Sequence, residues 1–393
     1  MKFNKWTVGL AAVGVVSLAS AARADEKMSA VQTALSNTTL SGYVDTAATW
    51  RPGTDQRPGF GANIPAYSFA KNDGFSLNAV DIAIDKPEDE SPWAAGYHVE
   101  MMFGTDQPTG YNNYGTLRQA YVTLRTPVGN GIDWKIGVWD TILGYESTSS
   151  PLDPNYTRSY GYTIEPTTHT GILATYKIND MISVSAGIAD GNGVAGGPFG
   201  INGTPAIESQ KAYMGDIQFT APDSAGFMKG ATFTVAAIDA SGSGGGNPGT
   251  TSLYAGATIP TPMSALKVGA CFDYLDIHND TAVNGNDSVW NIALYSSFQA
   301  TDKLSFNLRA EYLDAQSLGG GSPGIFSNST YVGNTAEEFT ATAQYNLWAN
   351  VISRVEFRWD HVEHRNAFGS SSTTGGKFRG NDFLLALNVI YQF

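Results

Sequence analysis

Apolar and polar residues alternate along most of the chain. Residues 304–312 read LSFNLRAEY, so that Leu304 and Phe306 share one face while Asn307 and Arg309 share the other. Alternation with a period of two is typical of a β-strand, whose successive side chains point to opposite faces. Comparable segments recur about sixteen times along the chain, including residues 132–140 and 265–275. The pattern predicts an all-β fold.

The length of these segments separates two kinds of β-protein. Each spans about 10 to 12 residues, which is the length of a tilted strand that crosses a bilayer. Strands of soluble β-sandwiches are roughly half as long, about 5 or 6 residues. The segments therefore favour a transmembrane barrel over a sandwich.

The connections between the segments alternate between short and long. The short ones are predicted at 86–92, 127–131, 179–180, 221–229, 260–264, 300–302 and 349–350. The long ones are predicted at 51–74, 105–116, 142–168, 191–208, 241–251, 277–287, 315–336 and 363–381. Short periplasmic turns and long extracellular loops are typical of outer-membrane barrels. We therefore predict a transmembrane antiparallel β-barrel of about 16 strands, closed because lipid offers no partner to the backbone groups of an open edge.

The first residues predict export. Lys2 and Lys5 precede a short apolar stretch, and Ala22-Arg23-Ala24 fits a cleavage site, so residues 1–24 are interpreted as a signal peptide. Residues 25–37 are expected to form an N-terminal periplasmic segment, either a short helix or a disordered leader, and residues 38–393 the barrel. No later run of 18 apolar residues suggests a helical span.

Composition narrows the function classes. Removal of the signal peptide, which carries three basic residues and no acid, takes the formal charge from −13 to −16, so nucleic acid is not expected as a partner. Cys271 is the one cysteine, which excludes an internal disulfide. Aromatic residues make up 12 % of the chain and glycines number 44, which suits a large β-architecture.

No motif indicates a cofactor or a metal. Gly191 to Gly196 fits a dinucleotide-binding pattern, but Pro198 follows and no helix begins there. His361 and His364 have no obvious third ligand for zinc. We expect neither a cofactor nor a metal centre.

Several segments resemble a known family. They are Trp139 to Glu146, Asn155 to Tyr160, Glu165 to Gly171, Ser41 to Asp45 and Arg118 to Val122, and they look like the OmpL-like β-barrel porin family, closely only over about residues 118–190. The resemblance implies an outer-membrane porin but supplies no solute or site residue. The last strand ends at Phe393, similar to the aromatic signature that barrels present to the outer-membrane assembly machinery. Homotrimer formation rests on analogy with sixteen-strand porins.

The third long loop, 142–168, carries the candidate constriction. Its Glu146, Asp153 and Arg158 are expected opposite strands thirteen to fifteen. The predicted pore-lining residues are Glu146, Asp153, Arg158, Arg125, Lys135, Arg309, Glu311, Arg354 and Arg358. One hypothesis is a transverse field across a gap, such that neutralising Arg354 and Arg358 changes ion selectivity. The alternative is that these charges pair with lumen neighbours such as Glu311 and fill space.

The predicted function is a passive channel that lets small polar or ionic solutes cross through a water-filled lumen, with outer-membrane lipid around it. Two other classes stay open at this point. One is an outer-membrane enzyme of the lipase or protease type, although His98 and His169 have no recognisable nucleophile partner. The other is a structural or adhesive barrel whose loops bind a partner.

Overall fold

The computed structural model describes residues 37–52, 73–106, 117–190, 211–241, 249–278, 287–316, 334–363, 368 and 379–393. The predicted signal peptide and nearly all of the segment 25–37 lie outside the described residues, as do Gly191 to Gly196 and His364. The strands are β1 Thr39–Trp50, β2 Gly74–Lys86, β3 Ala95–Phe103, β4 Leu117–Thr126, β5 Ile132–Asp140, β6 Thr168–Lys177, β7 Ile182–Asp190, β8 Lys211–Thr220, β9 Thr232–Ala240, β10 Gly249–Pro260, β11 Leu266–His278, β12 Asp287–Gln299, β13 Leu304–Gln316, β14 Asn334–Trp348, β15 Val351–Val362 and β16 Asn381–Gln392.

These sixteen strands form one closed antiparallel barrel. Each strand pairs with its neighbours in sequence, and β1 pairs with β16, with Val44 opposite Tyr391. Past the end of β16, Gly42 and Phe393 exchange two backbone hydrogen bonds of 3.1 and 3.0 Å. No strand among the described residues is left with an open edge, which confirms the predicted barrel and its strand number.

The connections also alternate as predicted. The short ones are 87–94, 127–131, 178–181, 221–231, 261–265, 300–303 and 349–350, and they define the short-turn end of the barrel. The predicted boundaries differ from the observed ones by up to three residues. At one of them the pattern began a strand at Trp93, whereas β3 begins at Ala95. Trp93 has a φ of 65° and lies in the turn before it. Trp93 fits the alternation because it is apolar, but the alternation of apolar and polar residues does not show whether a residue has a positive φ.

The outer face of the barrel is apolar. Exposed Leu294, Leu308 and Val355 lie near the middle of their strands, while large aromatic side chains such as Trp50 and Trp348 lie near the two ends. An apolar band between two aromatic girdles matches a membrane-facing surface. Among the described residues, no helix is long and apolar enough to cross a membrane.

The inner face is less polar than the sequence pattern suggested. In the half away from the short turns, inward-facing Leu275, Val289 and Leu313 are fully buried and pack with Phe368. Charged and amide side chains concentrate nearer the middle of the strands. The reason is that a connection within the barrel covers these inward positions and replaces the expected water.

Candidate functional site

The connection between β5 and β6, residues 141–167, lies inside the barrel, and we call it the inner loop. It contains a 3-10 helix, Ser150–Leu152, and one turn of α-helix, α1 Tyr160–Ile164. The Ser159 hydroxyl caps α1 by accepting a hydrogen bond from the Tyr162 N–H at 2.9 Å. The loop leaves β5 and contacts β13 to β15, which lie six to eight strands away around the closed barrel. It therefore crosses the lumen.

Two arginines on the far wall hold the middle of the inner loop. Arg309 donates to the Glu146 carboxylate at 2.7 Å and to the Thr157 carbonyl at 2.8 Å. Arg358 donates to the Arg158 carbonyl at 2.5 Å and pairs with Asp360 at 2.8 Å. Both guanidinium groups are fully buried. Rigid, multiply donating guanidinium groups suit this task because they bind backbone carbonyls and carboxylates at once.

A third wall arginine holds the tip of the loop. Arg354 donates to the carbonyls of Ser150 and Asp153, at 3.1 and 2.5 Å, and to the Gln344 side chain at 2.9 Å. The Asp153 carboxylate turns back to the loop, where it accepts from the Ser147 N–H and lies 3.0 Å from Arg158. The tip is thereby fixed on both sides.

Wall carboxylates bind the backbone N–H groups of the same loop. Glu356 accepts from the N–H groups of Tyr156 and Thr157 at 2.6 and 2.9 Å. Glu311 accepts from the Tyr160 N–H at 2.9 Å. Buried carboxylates are stable only when such charge-assisted hydrogen bonds replace water. The loop and the wall therefore satisfy each other's polar groups.

The return of the inner loop to β6 brings two acids together. Burial, followed by the nearby Asp273 carboxylate and a hydrogen bond to it, raises the pKa of Glu165 well above its usual range. Burial also raises the pKa of Asp153 to about 7, although the Arg158 guanidinium opposes the shift. A protonated Glu165 that donates to Asp273 removes one of two like charges from a buried site.

The wall from which the loop departs has its own charged residues. Lys135 lies over the Tyr121 ring at 5.0 Å, and Arg125 forms an ion pair with Asp133. Nearby, Arg118 binds Glu100 at 2.6 Å and Asp140 at 2.7 Å. Arg125, Lys135 and Asp140 keep part of their surface exposed, and none of the contacts just described involves the inner loop.

The nine predicted site residues therefore fall into two groups. Glu146, Asp153, Arg158, Arg309, Glu311, Arg354 and Arg358 are brought together and buried, whereas Arg125 and Lys135 lie apart on the opposite wall. The expectation that inward charges meet water is wrong for the first group. The field hypothesis requires a gap between the charges of the loop and those of the wall. Direct contacts occupy this space, which is the arrangement that the alternative of paired charges describes. Their role in conduction stays a prediction.

Sequence reasoning missed several members of the site. Glu338 lies 3.2 Å from Arg309, and the Tyr160 hydroxyl donates to Asp360 at 2.7 Å. The alternation could have placed Glu338 on the inner face, because the next residue in β14, Phe339, points outward. For Tyr160 no periodic signal existed, since a loop has no fixed direction for its side chains.

The barrel fold agrees with comparisons to known proteins. The family described as Putative beta-barrel porin-2, OmpL-like matches residues 37–393. No curated protein matches the chain.

Solved structures share the fold at low sequence identity. The anion-selective porin from Comamonas acidovorans is 13 % identical with a TM-score of 0.59, covering 91 % of this chain and 99 % of the other. The outer membrane channel DcaP of Acinetobacter baumannii is 12 % identical with a TM-score of 0.59, covering 91 % and 97 %. The trimer form of OmpT, an outer membrane protein of Vibrio cholerae, is 12 % identical with a TM-score of 0.58, covering 91 % and 99 %.

The family match spans more than half of the chain, and the closed sixteen-strand barrel is similar in fold to these solved structures. The chain therefore belongs to the Putative beta-barrel porin-2, OmpL-like family and is an outer-membrane porin.

Proposed function

We propose that this porin is a passive diffusion channel for small polar or ionic solutes, and that the inner loop narrows its path. The observation that carries the proposal is the loop's course from β5 to the far wall at Arg309 and Arg354. Because the loop covers the wall of β13 to β15, the open path runs along the opposite wall. That wall presents the partly exposed Asp133, Lys135 and Asp140. These groups can exchange contacts with hydrated solutes, as channel linings do.

Single-channel recording of the purified protein in planar bilayers tests the proposal. We expect steady conductance of about a nanosiemens in concentrated salt, typical of an open aqueous pore. A protein that gives no conductance but cleaves an ester or peptide substrate would instead be an outer-membrane enzyme. Absence of conductance together with loop-dependent binding to a cell surface would point to an adhesive barrel.

The proposal includes the surroundings of the channel. We expect export through the signal peptide 1–24, insertion by the outer-membrane assembly machinery through the C-terminal strand and Phe393, and lipid around the apolar band. OmpT of Vibrio cholerae is described in a trimer form, which supports a homotrimer here as well. Mass measurement of the protein in detergent distinguishes a trimer from a monomer.

A further inference from the structure

A cavity of about 380 Å³ lies between the tip of the inner loop and the wall of β10 to β14. Its wall residues are Thr258, Ser297, Ser305, Asn307 and Gln344, all within the half of the strands nearest the short turns. Cavities that hold small molecules have volumes of about 300 to 1,000 Å³. The space is therefore large enough for one small solute.

The wall of this cavity offers hydrogen bonds without charge. The Gln344 carbonyl already accepts from Arg354 at 2.9 Å, which leaves its amide N–H groups for a ligand. The Asn307 amide donates to the Pro154 carbonyl at 3.0 Å, which leaves its carbonyl oxygen as an acceptor. The hydroxyls of Ser297 and Ser305 can donate or accept. A ligand with several hydroxyl groups matches this mixture.

The loop side of the cavity is mostly apolar, with Asp153 as its one charged residue. Pro151, Pro154 and Leu152 form part of it, and Leu152 is 74 % exposed. The Tyr145 ring stacks on Tyr295 with ring centroids 4.0 Å apart, so it is held rigidly at the edge. An exposed leucine on a loop that is otherwise fixed loses contact with water when a ligand covers it, which stabilises the complex.

Two charged side chains beside the cavity, Arg354 and Asp153, already have hydrogen-bond partners. The Arg354 guanidinium binds the carbonyls of Ser150 and Asp153 and is buried. The carboxylate of Asp153 is bound by Ser147 and Arg158. Lys267 lies opposite Ser297 but is exposed and is not part of the lining. The lining residues themselves therefore offer a charged ligand no unpaired counter-charge, and a hydrocarbon would leave the wall hydroxyls and amides without partners.

We propose that this cavity binds a neutral polyhydroxylated solute of the size of a monosaccharide or disaccharide. The polar wall takes its hydroxyl groups, and the proline and leucine side covers its C–H face. This assignment rests on the proposed function, since it names a class of solute that enters the lumen and is held in this cavity beside the open path.

The test uses D-glucose and maltose as probes in planar bilayers that contain the purified protein. We expect the sugar to reduce conductance with saturation at high concentration. The double variant Ser297→Ala/Ser305→Ala should raise the half-saturating concentration about tenfold, because two neutral hydrogen bonds are lost. Leu152→Ser, at an exposed position, should raise it about threefold without affecting folding. Ser183→Ala, a lumen-side serine on β7 outside the cavity, is the matched control and should change nothing.

Two results would overturn the assignment while the channel itself stands. One is a conductance decrease that does not saturate and is the same in all variants. The other is equal binding of sodium glucuronate, which would contradict a neutral ligand. A protein without conductance would refute the proposed channel. In that case equilibrium dialysis of labelled maltose against the protein in micelles tests the binding site independently of the channel. Binding that is weakened in the variants supports the site, and absence of binding refutes it.

Discussion

At the scale of single residues, a charged side chain in the barrel interior is stable only when it is paired with opposite charges or hydrogen-bond partners. Arg309 is surrounded by Glu146, Glu311 and Glu338 at 2.7 to 3.4 Å and is fully buried. Replacing a buried ion pair as a whole can be harmless, but removing one partner leaves a buried charge without compensation. The arginines on the wall of β13 to β15 therefore act as anchors for the inner loop.

We expect Arg309→Gln to lower the free energy of unfolding by about 3 to 5 kcal/mol, because three buried carboxylates lose their main counter-charge. Unfolding by denaturant in phospholipid vesicles measures the change. Arg125→Gln is the matched control, since the Arg125–Asp133 pair is partly exposed and is expected to contribute less than about 1 kcal/mol. Equal losses in the two variants would contradict the anchoring role of Arg309.

Glu165 predicts a pH dependence of stability. Its pKa is raised by burial and by Asp273, so the native state binds the proton more tightly than the unfolded chain. The stabilisation is complete below the unfolded-state pKa of about 4.3 and is lost as pH rises through the higher native pKa. We expect the melting temperature of the wild type to fall more steeply with rising pH than that of Glu165→Gln, measured by circular dichroism. Parallel pH profiles would refute this role.

At the scale of elements, the inner loop differs from the strands in how its position is set. Each strand is placed by backbone pairing with two neighbours, as β1 is by β2 and β16. The inner loop is placed by side chains of distant strands, with Glu356 and Arg358 binding its backbone at Thr157 and Arg158. Removing the loop therefore leaves the strand ladder complete.

Replacing residues 144–164 with a short Gly-Ser linker should raise single-channel conductance at least about twofold, because the linker lacks the residues that bind the far wall and no longer reaches it. The freed wall arginines would then be hydrated in the lumen. Shortening the 3-10 helix Asp223–Met228, which has no buried residue and lies at the short-turn end, is the control and should leave conductance unchanged. Unchanged conductance in the inner-loop variant would show that the loop does not limit the path.

At the scale of the whole molecule, one wall separates two solvents. The outer face, where Leu294 is 57 % exposed, is expected to contact hydrocarbon. The inner face is expected to contact the inner loop, polar groups and water. The same strand carries the fully buried inward-facing Ala293 and Asn291. A single chain achieves this because adjacent side chains on a strand point in opposite directions.

We expect Leu294→Arg to reduce the free energy of folding into vesicles by about 2 to 4 kcal/mol, the cost of an arginine on the lipid face at mid-membrane. Ser183→Arg is the control: this lumen-side position is partly exposed, so the new charge can remain hydrated. The two variants are compared by reversible denaturant unfolding in the same vesicles. If both lose the same stability, the assignment of the two faces is wrong.

Much of the fold was predictable because each strand is specified locally. The period of two in segments such as 304–312 and 351–360 assigns every residue to a face, and the turns between them count the strands. The sequence by itself therefore determined a closed sixteen-strand barrel, its apolar exterior and the presence of Arg309, Arg354 and Arg358 on the inner face.

The tertiary structure alone decided what those inward residues meet. Whether Arg309 faces water or Glu146 depends on the course of the inner loop. Glu146 lies 163 positions away in sequence, and no periodicity of the sequence predicts that course. The same holds for Glu165 beside Asp273 and for the cavity under Leu152. Local alternation reports the direction of a side chain, whereas its environment depends on which distant backbone arrives to cover it.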